Sequence, residues 1–143
     1  MYHYTESGLQ NVWLRNGYRK VPSPYGEGVA IHDVAGLHRM IGRTLARRAR
    51  LTGAELRFLR KELGLSQKAL AQMVGTTEQN VSLWERRGRM PVSADRIVRL
   101  VYIETIDGNV QVRTMMDQLQ ALDAANAERI EMTEGRNGWR EAA

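Results

Sequence analysis

The chain contains no cysteine, and this absence removes two common ways of holding a small fold together. None of its 143 residues can form a disulfide or a thiolate metal site. No apolar run approaches the ~18 residues that a membrane-spanning helix needs, and the opening MYHYTESGLQ does not resemble a signal peptide. We therefore expect a cytoplasmic protein that has no contact with a membrane and whose fold rests on packing.

Acidic residues are scarce over most of the chain. Residues 1–100 carry 17 Lys and Arg against 8 Asp and Glu, whereas residues 101–143 carry 4 against 8. The composition, 43% hydrophobic with a formal net charge of +5, predicts a globular protein with a basic body. Nucleic acid is the commonest partner of such a surface, although an excess of basic residues can also serve solubility alone.

Recognisable catalytic and metal-binding patterns are missing as well. The sequence has no nucleophile elbow, phosphate-binding loop or pair of carboxylates spaced for acid–base work. His3, His32 and His38 lack the spacing of metal ligands, so we expect ordinary surface or packed histidines. Trp13 and Trp84 are expected in the core. We predict neither an enzyme nor a cofactor, and an enzymatic N-terminal region is the least supported alternative.

Residues 1–50 predict a small β-rich domain for dimerisation or partner binding. The segments NVWL and YRKV flank Asn16-Gly17, which favours a two-residue hairpin turn, and VAI at 29–31 predicts a third strand. Asp33 is predicted to cap a helix whose apolar face comprises Leu37, Met40, Ile41 and Leu45. An arginine cluster follows, which either clamps flanking DNA or forms a polar linker face: Arg43, Arg47, Arg48 and Arg50.

Residues 51–106 have the pattern of an all-α domain. Thr52 and Glu55 are spaced as a capping box before an apolar stripe, and Gly64 predicts the end of that helix. Three further helices are predicted to begin at the caps Ser66, Thr77 and Ser93. The last of these is expected to bury Ile97, Leu100 and Val101.

Residues 107–143 predict a C-terminal helix and tail. Val110 to Ala125 is amphipathic, with an apolar stripe of Val112, Met115, Met116, Leu119 and Leu122, and RIEM at 129–132 predicts a terminal strand. The expected class is therefore α+β, with a small β-rich N-terminal domain, an all-α helix-turn-helix domain and a C-terminal helical extension.

The stretch QKALAQMVGTTEQNVSLWER, residues 67–86, has the pattern of two short helices that meet at a steep corner. Its apolar positions, a small residue and a corner glycine fall where a helix-turn-helix needs them: Leu70, Ala71, Val74, Gly75, Val81 and Trp84. An ordinary pair of helices in a core is the alternative. The opposite face of the second helix carries groups that can reach base edges: Glu78, Gln79, Ser82, Leu83 and Arg86.

Residues 54–89 resemble the helix-turn-helix of the Xre/Cro repressors, which are lambda-repressor-like. The resemblance implies sequence-specific binding of double-stranded DNA through a recognition helix at 77–87. In that family the glutamine that opens the first helix, here Gln67, binds a phosphate and supports the base contacts. The start of the recognition helix reads bases, which implies base contacts for Thr77, Glu78 and Gln79.

The same resemblance implies a wider set of DNA contacts. Asn80 and Ser82 occupy positions that contact the backbone or bases, while Leu83 replaces a frequent Gln or Arg and could pack on a thymine methyl group. Glu78 is unusual, because DNA repels a carboxylate unless the carboxylate accepts from a cytosine amino group. Phosphate contacts complete the predicted site: Ser66, Lys68, Arg86, Arg87 and Arg89.

The whole chain resembles a narrower group, the antitoxin-type regulators related to MqsA. LTGAELRFLRKELGLSQ and the N-terminal ESGLQNVWL carry this resemblance. That group usually holds zinc through cysteines in its N-terminal domain, so a zinc site is not expected here. Our leading hypothesis is a nucleoid-associated, autoregulating repressor that binds a palindromic operator as a homodimer, with either Val110–Ala125 or the N-terminal sheet as the segment that pairs the subunits. Alternatively, the N-terminal domain neutralises a toxin protein.

Overall fold

The computed structural model describes residues 1–120 and 129–142. Among these residues, four strands precede the helices and two follow them. The elements are β1 (Tyr2–His3), β2 (Trp13–Leu14), β3 (Tyr18–Ser23), β4 (Gly26–Ile31), α1 (Val34–Ala46), α2 (Gly53–Glu62), α3 (Gln67–Val74), α4 (Glu78–Arg87), α5 (Val92–Ile106), α6 (Val110–Gln120), β5 (Met132–Gly135) and β6 (Gly138–Glu141). This order confirms the predicted α+β class. Within the described residues, no helix is both long and apolar enough to cross a membrane.

The N-terminal strands pair differently from the prediction. β1 pairs with β2, and β3 pairs with β4 through a two-residue turn at 24–25, so both sheets are antiparallel and two-stranded. The predicted hairpin at Asn16-Gly17 is therefore wrong, since this dipeptide lies in the bend between the two sheets. The register places Tyr18 opposite Ile31, and both side chains pack against the core, which favours the observed pairing over a local hairpin.

Helix α1 begins at its predicted cap and turns a narrower apolar face inward than expected. The Asp33 carboxylate accepts a hydrogen bond from the backbone N–H three residues on, at 3.1 Å. Ile41 and Leu45 are buried and Leu37 is half-buried, but the Met40 side chain is 56% exposed. Positions 37, 41 and 45 follow one helical stripe, and position 40 lies at its edge.

Trp13 is an exposed residue, so its predicted place in the core is wrong. Its indole is 54% exposed and stacks on the His3 imidazole with ring centroids 4.0 Å apart. Successive strand residues face opposite ways, and in β2 the buried position belongs to Leu14. Trp84 is half-buried and packs against the core.

The buried face of helix α5 matches the prediction only in part: Val101 is half-buried and packs against the core. Its N-cap is Pro91 rather than Ser93, and the core positions are Ala94, Val98 and Tyr102. Ile97 and Leu100 instead face solvent, with 37% and 62% of their surface exposed. The close approach of α1 decides this rotation, because a Cβ on Gly42 would overlap the Tyr102 hydroxyl. Tyr102 therefore lies against α1, and Leu100 points away from it.

The C-terminal part forms a helix and a hairpin rather than a helix and one strand. Segment 129–132 was predicted as a strand, but β5 begins at Met132 and pairs with β6 across a turn at 136–137. In α6, Val112 packs partly against the core. The other predicted members of its stripe have side chains outside the described part: Met115, Met116, Leu119 and Leu122.

One continuous core connects the N-terminal segment to the helical unit. Buried side chains from the first 14 residues meet those of α1, α2 and α5: Tyr4, Leu9, Leu14, Ile41, Leu45, Leu56, Leu59, Val98 and Tyr102. The predicted domain boundaries at residues 50 and 106 stay predictions. The shared core gives α1 a fixed place beside the helices that follow it.

Candidate nucleic-acid interface

The N-terminus of α2 supports α4 from behind. Thr52 and Glu55 form the predicted capping box, with hydrogen bonds of 3.2 Å to the Thr52 hydroxyl and 2.8 Å to the Glu55 carboxylate. Gly53 follows the cap, and a Cβ there would overlap the carbonyl oxygen of Glu85 and lie 2.6 Å from that of Trp84. The positive end of α2 thus lies against the negative end of α4, which favours the contact electrostatically.

A buried ion pair fixes α4 to α2 a second time. Arg60 donates from Nε and Nη2 to the two carboxylate oxygens of Glu85, at 2.8 and 3.0 Å, and from Nη1 to the Leu65 carbonyl at 3.0 Å. The two side chains are only 11% and 4% exposed. The planar guanidinium suits this two-point contact, which fixes orientation as well as distance. No local pattern in the sequence predicts the pair, because the two opposite charges are 25 positions apart.

The corner between α3 and α4 has the predicted geometry. The Ser66 and Thr77 hydroxyls cap α3 and α4, accepting from backbone N–H groups at 3.0 and 3.2 Å. Gly75 ends α3 at φ 78°, a left-handed conformation that favours glycine. Leu70, Ala71 and Val81 are buried between the helices. These contacts confirm the predicted helix-turn-helix geometry.

The outer face of α4 exposes the residues that were predicted to read bases. Glu78 and Gln79 are exposed, while Ser82 and Leu83 are half-buried. Within the described residues, the Gln79 amide has no hydrogen-bond partner, so its donor and acceptor both point outward. An amide of this kind can make two hydrogen bonds to one adenine.

Thr77 and Asn80 lie on the exposed surface and also stabilise the corner between α3 and α4. The Thr77 hydroxyl caps α4, and the Asn80 side-chain amide donates to the Thr76 hydroxyl at 3.0 Å. Both residues are exposed. Their remaining polar atoms can still contact DNA, but a substitution at either position also disturbs the corner.

The start of α3 offers a second set of polar groups. Ser66 and Lys68 are exposed, and Gln67 is half-buried at the first helical position. Helices α3 and α4 pack against each other, so these groups adjoin the α4 corner. Backbone N–H groups at a helix N-terminus attract phosphate, and a lysine strengthens that attraction.

Three exposed arginines lie at the C-terminal end of α4 and just beyond it: Arg86, Arg87 and Arg89. Arg86 donates weakly to the Ser82 carbonyl at 3.4 Å, and among the described residues Arg87 and Arg89 have no hydrogen-bonded or acidic partner. Arg87 and Arg89 also line a groove of about 460 Å³ together with Leu83 and Trp84. Unpaired guanidinium groups beside a groove are suited to phosphate.

Three arginines of the cluster at 43–50 contact other segments of the chain, although the side chains of Arg48 and Arg50 are 50% and 51% exposed. Arg43 pairs with Asp107 at 2.9 Å, and Arg48 lies 3.6 Å from Oε2 of Glu55. Arg50 donates to the Met90 carbonyl at 2.7 Å and lies 3.9 Å from the Asp95 carboxylate. Of the two predicted roles, these contacts favour the linker over the DNA clamp. Arg47 is exposed.

Of the three histidines, His38 has a clear structural role. It lies between the Tyr4 hydroxyl and the Glu62 carboxylate, with 2.7 Å from a ring nitrogen to each. Burial raises the pKa of Tyr4, so its hydroxyl stays protonated at neutral pH and can donate to the ring. No group of three or more His, Asp or Glu residues within the described segments could hold a metal ion.

Residues 56–101 match the family model described as Helix-turn-helix. No curated protein matches the chain, and neither does any solved structure. The match covers α3 and α4 with parts of α2 and α5, which are the elements that form and support the corner. The match supports the interpretation of the chain as a DNA-binding transcription regulator of the Xre type. The domain that this family model describes is a DNA-binding domain and not a catalytic one.

Proposed function

We propose that the protein is a transcriptional repressor that binds a palindromic operator as a homodimer and represses its own promoter. One observation carries the proposal. Glu78 and Gln79 on the outer face of α4 are exposed and have no hydrogen-bond or ion-pair partner among the described residues, whereas the Arg60–Glu85 pair behind them is buried. A surface of this kind is held rigidly while its hydrogen-bonding groups remain available to a ligand.

In this proposal, α4 enters the major groove and three side chains determine the sequence. Gln79 reads an adenine through two hydrogen bonds, Glu78 accepts from a cytosine amino group, and Leu83 packs on a thymine methyl group. The Ser82 hydroxyl can donate or accept, so it contacts the base edge that lies opposite it. Thr77 adds a contact to a base edge at the start of α4. The polar groups at the start of α3, Asn80 and the arginines bind phosphates and set the affinity: Ser66, Gln67, Lys68, Asn80, Arg86, Arg87 and Arg89.

The repressor would act by occupying the promoter. A two-fold symmetric dimer carries two copies of α4, so its half-sites lie about one helical turn apart, ~34–36 Å. Bound there, the protein excludes the transcription machinery without performing any chemistry. The proposal implies a cytoplasmic, nucleoid-associated protein, because that is where the operator is.

A footprint on the DNA upstream of the protein's own gene tests this proposal. At ~0.15 M salt, non-specific phosphate binding is already weakened, so a specific site stands out. We expect a discrete, two-fold symmetric protected region that overlaps the promoter. Salt-sensitive coating of the whole fragment, with no discrete site, would contradict a sequence-specific repressor.

A second candidate function is that of an antitoxin whose N-terminal region binds a toxin protein, as the MqsA resemblance implies. The observation in its favour is an apolar groove of about 290 Å³ between β2 and α1, lined by Val12, Trp13, Leu37 and Met40 among others. Trp13 and Met40 are exposed there, which is unusual for large apolar side chains.

Co-expression with the product of the adjacent gene tests the antitoxin function. We expect a toxin to co-purify with the wild-type chain, and Trp13→Ala to weaken that complex. Trp139→Ala provides a matched control, because Trp139 is also exposed but lies on the C-terminal hairpin. Equal loss with both variants, or no complex with the wild type, would contradict a toxin site in this groove.

A further inference from the structure

The C-terminal hairpin of β5 and β6 has one face that is both apolar and acidic. Residues directly opposite each other in an antiparallel pair share a face, and so do residues two apart in one strand. Met132 lies opposite Glu141, and Glu134 lies opposite Trp139, so these four side chains share one face of the hairpin. The Trp139 indole is 72% exposed and Met132 is 56% exposed. Two large apolar groups and two carboxylates therefore lie together on a surface that the described residues leave uncovered.

A hairpin of this size needs a second surface to be stable. Each of its strands has four residues, and an isolated pair of short strands is at best marginally stable in water. Of the segment 129–142, only Thr133 and Ala142 are half-buried, and the other residues are exposed. Packing of the apolar face against a helix would supply the missing stabilisation.

The groove at the end of α4 has the complementary character. Its volume of about 460 Å³ is within the ~300–1,000 Å³ of ligand-binding clefts. Leu83 and Trp84 supply the apolar part of its lining. Arg87 and Arg89 supply two guanidinium groups that have no acidic partner among the described residues. An apolar surface beside two unpaired cations suits a ligand that is apolar and acidic at once.

We propose that this groove binds the C-terminal hairpin of the same chain. The Trp139 indole packs on Trp84 inside the groove, where an arginine can also lie against its ring. The carboxylates of Glu134 and Glu141 pair with the two guanidinium groups. The contact thus covers the apolar face of the hairpin and balances the charge of both partners.

The chain is long enough for this contact. Helix α6 packs against α3, and α3 packs against α4, which has 10 residues and is therefore about 15 Å long. The backbone from Gln120 to Arg129 can span up to ~30 Å at ~3.3–3.6 Å per residue. The groove between β2 and α1 is a poorer match, because Arg48 in its lining already lies 3.6 Å from the Glu55 carboxylate.

Docking of the hairpin and binding of DNA exclude each other. Leu83 and Arg87 belong to the proposed DNA interface, so a docked hairpin occupies contacts that an operator needs. The docking is inferred from the two surfaces alone, whereas its effect on DNA binding rests on the proposed function. A tethered segment acts at an effective concentration on the order of millimolar, so even a weak contact lowers the apparent affinity for the operator.

A spin label on the hairpin of the full chain tests the docking without DNA. Because the chain has no cysteine, Thr133→Cys gives a single attachment point, on the face of β5 opposite to Glu134. We expect the nitroxide to broaden the indole N–H signal of Trp84 and to leave that of Trp13, on β2, unchanged. A Trp84 signal without broadening would overturn the docking. Equal broadening in a mixture of spin-labelled chains with unlabelled ¹⁵N chains would assign the hairpin to a second copy and overturn the contact within one chain.

Substitutions on the hairpin test the competition with DNA. Trp139→Ala should raise operator affinity ~5-fold and Glu134→Gln ~3-fold, because each weakens the competing contact. Glu131→Gln is the matched control, since it changes the net charge equally. The Glu131 carbonyl accepts from the Ala142 N–H at 2.8 Å, so the strand alternation continues and the Glu131 side chain lies on the other face. Its affinity should stay within ~1.5-fold of the wild type.

The outcomes separate this contact from the proposed function. Equal gains for Glu134→Gln and Glu131→Gln would attribute the effect to net charge and overturn the competition. A footprinted operator that binds the wild type and Trp139→Ala equally would also overturn the competition but leave the repressor intact. If no operator is found, the proposed function fails, and the broadening of Trp84 still decides whether the hairpin docks.

Discussion

Two arginine clusters that look alike in the sequence differ in the structure. Arg43, Arg48 and Arg50 each lie beside a carboxylate of another segment, at 2.9, 3.6 and 3.9 Å. Arg87, the last residue of α4, and Arg89, just beyond it, have no such partner within the described residues and line an open groove. The first cluster connects α1 to the helical unit, and the second is available to a polyanion.

The difference shows that the partners of an arginine, more than its position in a basic stretch, determine what it can do. A carboxylate beside a guanidinium balances part of its charge and so weakens its attraction for phosphate. An exposed, unpaired guanidinium keeps that attraction and adds to the salt dependence of DNA binding. Four predictions test this distinction.

The largest effect, a loss of stability, is expected for Asp95→Asn, which removes the carboxylate beside Arg50 of the first cluster. Asp95 is fully buried and accepts hydrogen bonds from the Leu51 backbone N–H and from Arg99 Nε, both at 2.7 Å. Removing its charge leaves Arg99 without its buried partner, so we expect the free energy of unfolding to fall by ~3–5 kcal/mol in urea denaturation.

The matched control is Asp107→Asn, whose side chain is 50% exposed in its pair with Arg43. Exposed pairs contribute little, so the loss should stay below ~1 kcal/mol. Equal losses for the two variants would show that burial does not distinguish these pairs.

Gly53→Ala disturbs the contact by which α2 holds α4 in place. The new methyl group would overlap backbone carbonyls of α4, so α2 and α4 must separate. We expect a loss of ~1–3 kcal/mol in thermal unfolding, typical of overpacking, together with weaker operator binding by the folded fraction. Gly28→Ala is the control, because its Cβ would lie 3.6 Å from the nearest atom. Operator affinity that is unchanged in Gly53→Ala would contradict a role for this contact in placing α4.

Gln79→Ala tests whether the outer face of α4 contributes to base recognition without contributing to stability. The exposed amide supports no internal contact among the described residues, so stability should stay within ~0.5 kcal/mol. Discrimination at one base pair in each half-site should fall by ~1–3 kcal/mol, measured by fluorescence anisotropy on operators with single base-pair changes. An unchanged preference at every position would remove Gln79 from the reading residues.

The smallest effect is expected for single arginines, where the two clusters can be compared directly. Arg87→Gln should reduce the slope of log affinity against log salt by ~0.9 for each phosphate that the arginine neutralises, without changing stability. Arg50→Gln should leave the slope unchanged and lower the free energy of unfolding, because the Met90 carbonyl and the Asp95 carboxylate then lack a cationic partner at this position. The reverse pattern would exchange the roles of the two clusters.

Local signals in the sequence predicted the helix-turn-helix well. At Thr52, Ser66 and Thr77 the capping side chain lies three residues before the N–H group that it binds, so the spacing is visible in the sequence. The same is true of the corner glycine at position 75. The corner and its exposed face follow from these signals alone.

Contacts between distant segments could not be predicted in this way. Asn16-Gly17 favours a hairpin turn, but it forms none, because β1 pairs with β2 and Tyr18 in β3 pairs with Ile31 in β4. In α5, apolar residues on two sides left the buried face ambiguous, and the room made by Gly42 decided it. The carboxylates that neutralise the first arginine cluster come from as far away as Asp107.

Nuclear magnetic resonance on a footprinted operator duplex tests the central distinction most directly. Arginine Nε–H signals of the 16.3 kDa chain can be followed one residue at a time as DNA is added. We predict that Arg87 and Arg89 shift together with the backbone amides of 66–68 and 77–83, while Arg43 and Arg50 keep their positions. Shifts concentrated at Arg43–Arg50, with the α4 face unchanged, would contradict the proposed interface.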